Sequence, residues 1–403
     1  MFVYRFVTSL LVGLSYPIIK LHLKNKREKQ RIGILKNGFE KSVWIHAASV
    51  GEVNAVKPLI NQLLQQYSQK DFIMTTMTST GLEAAKKISP KLVVSFFPID
   101  IVFIQKRFFD TINPELIILV ETEFWPNMLY VAKKRKIPIV MVNARISDIS
   151  FPKYRNLRIF WKPVWKAINA VNAQSEKDER RFIGFNFVNV INAHNLKFCI
   201  ELPEFNKTTL RKELGYSESD FIIVWGSSRP GEEKFFKEVF ISLKKKINNL
   251  KVIIVPRHLH RIPQVCGLFK EYDYHLYSTL EEPGDILFVD EMGILNMIYA
   301  FSDIAIVGGS FLNFGGHNPL EPAFYGTPAI IGKYHHSCRD SVDRLLENNG
   351  IIVSDKKKLT EDILKLFNNF DLREKLGSNA KQTLGLNSDS LKINLRVLEE
   401  YIK

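Results

Sequence analysis

Residues 43–76, VWIHAASVGEVNAVKPLINQLLQQYSQKDFIMTT, read as strand, helix, strand. Val43–Ala47 and Phe72–Thr76 are short apolar runs, and from Val53 the apolar positions recur at three- and four-residue spacing, as one face of a helix requires. Strands linked through a helix in this way run parallel. The same alternation continues with candidate strands at Leu92–Phe96, Leu116–Val120, Ile139–Asn143, Ala170–Gln174 and Val188–Asn192. After a polar link near Glu201–Lys207 a second series begins, at Phe221–Trp225, Val252–Val255, Ile286–Val289, Ile304–Val307, Ala329–Ile331 and Ile351–Val353. The pattern predicts an α/β protein of two Rossmann-like, doubly wound parallel-sheet domains, residues 24–200 and 201–403, facing each other across a cleft. In such sheets ligands bind beyond the carboxyl ends of the strands, so function is sought in the loops that follow them.

The 403 residues are 46% hydrophobic and 24% charged, a balance that excludes disordered, collagenous and heptad-repeat classes. The formal net charge of +14 implies an anionic partner: nucleic acid, an anionic membrane or a phosphorylated substrate. The three cysteines, Cys199, Cys266 and Cys338, form neither a disulfide framework nor a zinc pattern. There is no Walker motif and no full G-x-G-x-x-G, which weighs against nucleoside triphosphatases and NAD enzymes.

Residues 1–23 are apolar, but the uncharged run from Phe6 to Ile19 is short for a spanning helix, and Pro17 interrupts it. Lys24, Lys26, Arg27, Lys29 and Arg31 follow directly, where a cleaved signal would show small residues. The expectation is a helix anchored in or lying along the cytoplasmic face of a membrane, with a buried first helix as the alternative. Phe151–Lys166 interleaves Lys153, Arg155, Arg158, Lys162 and Lys166 with Phe160, Trp161 and Trp165, which suits a membrane interface or a solvated helix with a buried aromatic side.

Four strand-end loops of the first half carry polar groups. Ser49-Val50-Gly51-Glu52 is a capping box, and Glu52 also has the chemistry of a base for an attacking hydroxyl, with Gly51 permitting close approach. Thr75-Thr76-Met77-Thr78-Ser79-Thr80-Gly81 offers hydroxyls for sugar or phosphate oxygens, or for caps and turns. Glu121-Thr122-Glu123 places two carboxylates at a strand end, where burial without a purpose is costly. Asn143-Ala144-Arg145 ends the next strand.

In the second half, Gly226-Ser227-Ser228-Arg229-Pro230-Gly231-Glu232-Glu233 reads as strand, glycine turn and helix start, with Pro230 and both acids in the first turn. Arg257, after Val255-Pro256, brings a planar cation to a strand end. Gly308, Gly309, Gly315 and Gly316 fall within nine residues and are expected to expose backbone amides. Asn318 as N-cap, Pro319 at N1 and Glu321 at N3 would then start a helix whose terminus attracts a phosphate, with Glu321 free for ribose hydroxyls. His335, His336 and Cys338 lack a second ligand pair at metal spacing.

Taken in order, Ala48-Ser49-Val50-Gly51-Glu52, Thr75-Thr76-Met77-Thr78, Glu121 to Asn127, Asn143-Ala144-Arg145, Val255 to His258 and Gly315 to Glu321 resemble the bacterial 3-deoxy-D-manno-octulosonic acid (Kdo) transferases, glycosyltransferases of GT-B architecture. The resemblance spans nearly the whole chain. It implies transfer of Kdo from CMP-Kdo to an anionic lipid A precursor (lipid IVA) in lipopolysaccharide biosynthesis, at the cytoplasmic face of the inner membrane. By motif, it implies Glu52 as proton acceptor, Glu121 with Lys197 in transition-state stabilisation, and CMP contacts at Pro256, Arg257, Met292, Gly293, Ile294, Asn318, Pro319, Leu320 and Glu321. One phosphate leaves with CMP, so Arg257 and the glycine-rich terminus are expected to serve without a metal or other cofactor.

Two departures stand out. The family usually has Gly-Ser before Leu-Lys-Phe, where this chain has His194-Asn195; and its Thr-His-Glu-Gly-Glu-Glu reads Ser228-Arg229-Pro230-Gly231-Glu232-Glu233. The alternatives are another GT-B enzyme using a UDP-sugar, such as a lipid-linked N-acetylglucosaminyltransferase or an epimerase, and a basic binder of membrane or nucleic acid. The latter explains the charge but leaves the polar strand-end loops without a role.

Overall fold

A computed structural model describes residues 30–35, 38–280 and 282–402. The first strand series forms one seven-stranded sheet: β1 Ser42–His46, β2 Asp71–Thr76, β3 Leu92–Phe96, β4 Pro114–Val120, β5 Ile139–Ala144, β6 Ala170–Ala173 and β7 Val190–Asn192, in the order β3-β2-β1-β4-β5-β6-β7. The second is also seven-stranded: β8 Phe221–Ser228, β9 Leu250–Pro256, β10 Tyr274–Leu276, β11 Ile286–Phe288, β12 Ile304–Val307, β13 Ala329–Gly332 and β14 Ile352–Ser354, ordered β10-β11-β9-β8-β12-β13-β14. Every adjacent pair is parallel. The expected doubly wound architecture is therefore present twice.

Alternation along the strands of the first sheet feeds a core on each of its faces. Trp44, Ile117 and Met141 pack on one face with Phe108 and Phe109, while Val43, Ile45, Ile118 and Val140 pack on the other with Val53, Leu59 and Leu63 from the helix Val50–Gln66. Burying each such aliphatic contributes roughly 1.5–3 kcal/mol, so covering both faces makes these strands apolar throughout.

Strand order decides where loops meet. The chain reverses direction across the sheet between β1 and β4, and again between β8 and β12. The loop after β1 therefore adjoins the loop after β4, and the loop after β8 adjoins that after β12, the switch points at which open sheets hold ligands.

The chain divides into two compact units, one running to Cys199 and taking up the chain again from Asn387, the other Ile200–Leu386. The second unit therefore ends at Leu386 and not, as expected, at residue 403. The terminal helix Ser390–Glu399 presents Leu391, Leu395 and Leu398 in an apolar stripe, and Leu398 and Ile402 enter the core beside Leu59 and Leu63. The strand β10 escaped the sequence reading because it is a three-residue, half-exposed edge, Tyr-His-Leu, without an apolar run. The expected N-terminal membrane helix, residues 1–23, lies outside the described residues. Among those described, no helix is long and apolar enough to cross a membrane.

Candidate active site

Glu52 stands in the first turn of the helix Val50–Gln66, whose N-cap is Ser49. The cap expected at Ser49 is present. Glu52 N donates to Ser49 Oγ at 3.3 Å, as in a cap, while the carboxylate accepts from the Ser49 hydroxyl and from the Ala48 amide, each at 2.8 Å. Burial pushes the Glu52 carboxyl up to about 7; the Ala48 amide opposes this, and the negative charges of Glu121 and Glu123 add to it. A Cβ on Gly51 would meet nothing closer than Ser49 Oγ at 3.8 Å, so the path to this turn is open on that side.

Glu121 follows β4 with φ 58, a left-handed conformation unusual for a non-glycine residue, and its carboxylate lies 3.0 Å from Lys197 Nζ. Lys197 belongs to a single 3₁₀ turn, Leu196–Phe198, capped by Asn195, whose side chain accepts from Lys197 N at 2.9 Å. Asn143, also at positive φ, accepts from Leu196 N at 2.9 Å, and Thr122 Oγ donates to the Arg145 carbonyl. The ends of β4, β5 and β7 are thus tied into one frame. The structure brings Glu52, Glu121, Glu123 and Lys197 together in the first unit.

His46 and Trp125, to which no role was assigned from sequence, complete the surroundings. The fully buried His46 contacts Thr75 through Nδ1, and the Trp125 indole N–H is shared between Glu123 at 2.7 Å and His46 Nε2 at 3.2 Å. Only the position of His46 at the end of β1 signals this. Asp100 was also missed: it caps the helix Pro126–Lys134 by accepting from Asn127 N and Met128 N, and burial raises its carboxyl to about 6. The threonine loop is internal bracing. Thr75 accepts from Trp44 Nε1, Thr76 donates to the Ala48 carbonyl, and Thr78 caps the helix Ser79–Lys86.

In the second unit the glycine-rich stretch departs from expectation. The amides of Gly308, Gly309 and Gly316 are already bonded, to the Gly226 carbonyl, to Glu232 Oε2 and to the Gly309 carbonyl. A Cβ on Gly308 would fall 2.6 Å from the Ser227 carbonyl oxygen, so that glycine permits chain-to-chain contact. Glu232 also accepts from the Arg229 and Phe311 amides. Glu233 forms a buried two-point pair with Arg261 at 2.6 and 3.0 Å, reinforced by the Ser228 hydroxyl. These acids hold loops together. Pro230 lies before the helix Glu232–Lys244, whose N-cap is Gly231 at φ 89, and not in its first turn.

The helix expected at Asn318 is six residues long, Leu320–Tyr325, with Pro319 rather than Asn318 at the cap; Asn318 still accepts from Leu320 N at 3.1 Å. Arg229, Arg257, His258, His317 and Glu321 gather at this switch point. Arg229 Nη1 lies 2.9 Å from His258 Nε2. Burial, then the charges of Arg229 and Arg257, push His317 down to about 4. Burial raises Glu321, against a hydrogen bond from Asn318 and the charge of Arg257. Arg257 is exposed after the buried Pro256, and Met292-Gly293-Ile294 forms the turn, exposed at Met292 and Gly293, before the helix Leu295–Phe301. Among the described residues no cluster of three His, Cys, Asp or Glu is placed to hold a metal.

The match to known sequences is extensive. A 3-deoxy-D-manno-octulosonic acid transferase of Haemophilus influenzae is 32% identical over 99% of this chain and 98% of its own length. The chain belongs to that family. The kdotransferase family profile matches residues 26–200, and an Aquifex aeolicus transferase is 30% identical over 83% of this chain and 89% of its own. A bifunctional glycosyltransferase/methyltransferase of Fusobacterium nucleatum is 36% identical over 93% of this chain, which spans only 60% of that longer protein. The fold likeness extends to the UDP-GlcNAc 2-epimerase of Neisseria meningitidis, at TM-score 0.57 and 13% identity, covering 89% of this chain and 100% of that one. A Rickettsia africae glycosyltransferase gives TM-score 0.52 at 15% identity, covering 91% and 100%. The Kdo transferase family thus combines a glycosyltransferase activity with two parallel-sheet units of the GT-B type.

Proposed function

We propose that this chain moves Kdo from CMP-Kdo to a lipid A precursor, lipid IVA, in a single inverting displacement at the cytoplasmic face of the inner membrane. The observation that carries the reading is Glu52: a carboxylate at the β1/β4 switch point, held by two hydrogen bonds and raised to about 7. A base with that affinity takes a proton from the acceptor sugar's hydroxyl near neutral pH, and the oxygen then attacks the anomeric carbon opposite CMP. Lys197, beside Glu121, offers a cation to charge that develops in the transition state.

In the second unit, Arg257 suits the departing phosphate and Glu321 the ribose hydroxyls, with Pro256, Met292, Gly293, Ile294, Asn318, Pro319 and Leu320 framing the nucleotide. Membrane residence is supported by the helices Ser150–Asn156 and Arg158–Trp165. They carry Lys153, Arg155, Arg158 and Lys162 alongside aliphatics facing water, with Leu157, between the helices, 56% and Ile159 92% exposed. Arg155 and Arg158 join Arg180 and Arg181 around a 310 Å³ hollow with Phe151 and Phe185. Cations beside outward aliphatics match an anionic interface.

The test is incubation with CMP-Kdo and a tetra-acylated lipid A precursor, with product mass as readout; a mass gain of one or more Kdo units is expected. Thermal stabilisation by UDP and none by CMP would overturn the donor assignment in favour of a UDP-sugar enzyme.

A further inference from the structure

Besides its own backbone bonds, Phe198 N to the Asn195 carbonyl and Cys199 N to the Leu196 carbonyl, the turn that carries Lys197 is held by side chains. His194 N donates to Asn192 Oδ1 at 3.2 Å, Asn195 N to Asn387 Oδ1 at 3.3 Å, Leu196 N to Asn143 Oδ1 at 2.9 Å, and Lys197 N to Asn195 Oδ1 at 2.9 Å. The His194 carbonyl accepts from Ser390 Oγ at 3.1 Å. Two of these five contacts come from the chain's last segment, nearly two hundred residues away. That segment is itself fixed: Cys199 Sγ donates to the Asn387 carbonyl at 3.3 Å, and Asn394 links the Ser390 carbonyl to Asn172, at 2.8 and 3.0 Å. Asn172, Asn387, Ser390 and Asn394 are all buried. A buried polar cluster of this kind is costly unless its members satisfy one another, and when satisfied it fixes one geometry.

We infer that Asn387, supported by Ser390, is a positioning residue for transfer: it sets the turn from which Lys197 reaches Glu121. The apolar stripe of the terminal helix explains why the segment docks, but it does not require an asparagine carbonyl aimed at the Asn195 amide. Lys197 sits at the end of a long side chain on a single 3₁₀ turn. A tilt of that turn moves the ammonium by about an ångström, and misplacement on that scale costs up to about a hundredfold in rate. The inference rests on the catalytic reading of Lys197, and the experiment separates the two.

Steady-state transfer is measured for the full chain and for Asn387→Ala, Asn387→Asp, Ser390→Ala, Lys197→Ala and the Lys197→Ala/Asn387→Ala pair, with CMP affinity and thermal unfolding followed in each. Asn387→Ala is expected to lower kcat roughly ten- to a hundredfold with CMP affinity unchanged. Asn387→Asp, which keeps an acceptor oxygen, restores most of the rate. In the Lys197→Ala background the Asn387→Ala change costs less than about twofold, because the group it positions is gone. Ser390→Ala gives a smaller loss of the same kind and serves if Asn387→Ala does not fold. An equal Asn387 effect with and without Lys197, or a normal kcat in both Asn387→Ala and Ser390→Ala, overturns the inference. A normal kcat in Lys197→Ala instead removes the catalytic role of Lys197, and the positioning role falls with it.

Discussion

The Lys197 ammonium lies 3.0 Å from the Glu121 carboxylate, and each partner hangs from backbone in the left-handed region: Glu121 itself at φ 58, and His194, three residues before Lys197, at φ 58. Such conformations cost about 1–3 kcal/mol each for ordinary residues and persist where surrounding contacts enforce them. Because Glu121 also raises Glu52, its charge links the pair to the proposed base. Glu121→Gln removes one negative neighbour, so the acid limb of the kcat/KM profile of the residual activity moves to lower pH. Lys197→Ala leaves the Glu121 charge unbalanced and moves it upward. A pH–rate series on both variants checks the two directions.

As the proposed base, Glu52 acts in its ionised form, so the rate of the unmodified enzyme is expected to fall as pH drops through about 7. Glu52→Gln is expected to lose about two to four orders of magnitude in turnover while CMP affinity is retained. The same group fixes a stability trend. Its carboxyl titrates near 4.5 when unfolded and near 7 when folded, so its favourable contribution is complete below pH 4.5 and disappears as pH rises through 7. Glu52→Gln therefore gains on the order of 1 kcal/mol over the wild type at pH 8, after discounting for partial exposure, and nothing at pH 4. Urea unfolding at the two pH values measures the difference.

The departure from the family's Gly-Ser at His194-Asn195 has a local explanation. His194 occupies a left-handed conformation that glycine adopts without steric cost, and Asn195 takes a cap position that serine fills equally well. The turn is formed at the expense of strain at His194. His194→Gly should relieve roughly 1–2 kcal/mol of strain against roughly 0.5–1 kcal/mol of added unfolded-state entropy, for a small net gain in Tm with transfer rates unchanged. A lowered Tm would mean that the imidazole itself contributes packing.

These loops show how far the sequence was legible. Strands buried on both faces announce themselves as apolar runs, so both sheets and the polar loops at their ends were readable, down to the capping pattern around Glu52. Fates of individual hydrogen bonds were not. Gly308 and Gly309 suggest exposed amides, yet Glu232, nearly eighty residues away, takes one, and the Ser227 carbonyl fills the space. Asn387 carries no local pattern at all, because its partner Asn195 is brought to it only when the terminal helix folds back. Period and composition report which face is buried, and long-range polar pairing leaves no trace in either.

In the second unit Arg257 is exposed while Glu321 is largely enclosed, an arrangement suited to gripping a phosphate with one and sorting sugar hydroxyls with the other. Arg257→Ala is expected to weaken CMP binding by about 1.5–3 kcal/mol, ten- to a hundredfold in Kd, by loss of a charged hydrogen bond. Glu321→Gln should weaken CMP less and narrow the preference for ribose over deoxyribose. Calorimetric titration with CMP and dCMP distinguishes them; equal CMP affinity in wild type and Arg257→Ala would remove the phosphate role.

The helices Ser150–Asn156 and Arg158–Trp165 carry a basic and partly apolar exposed surface. From Ile149 to Asn169 the chain has five basic residues and no acid, and Ile149, Leu157 and Ile159 are 78%, 56% and 92% exposed. On a water-facing helix such aliphatics are unusual together, whereas at an interface each contributes by burial and each cation adds about 1 kcal/mol on an anionic surface. Ile159→Glu should lower the partition of the full chain onto phosphatidylglycerol vesicles about tenfold or more, since it removes burial and adds repulsion. Arg155→Glu should lower it on phosphatidylglycerol but little on phosphatidylcholine, because only its charge is at stake. Co-sedimentation across the two lipids separates the contributions, and unchanged binding in both variants would overturn the proposed membrane role of these helices.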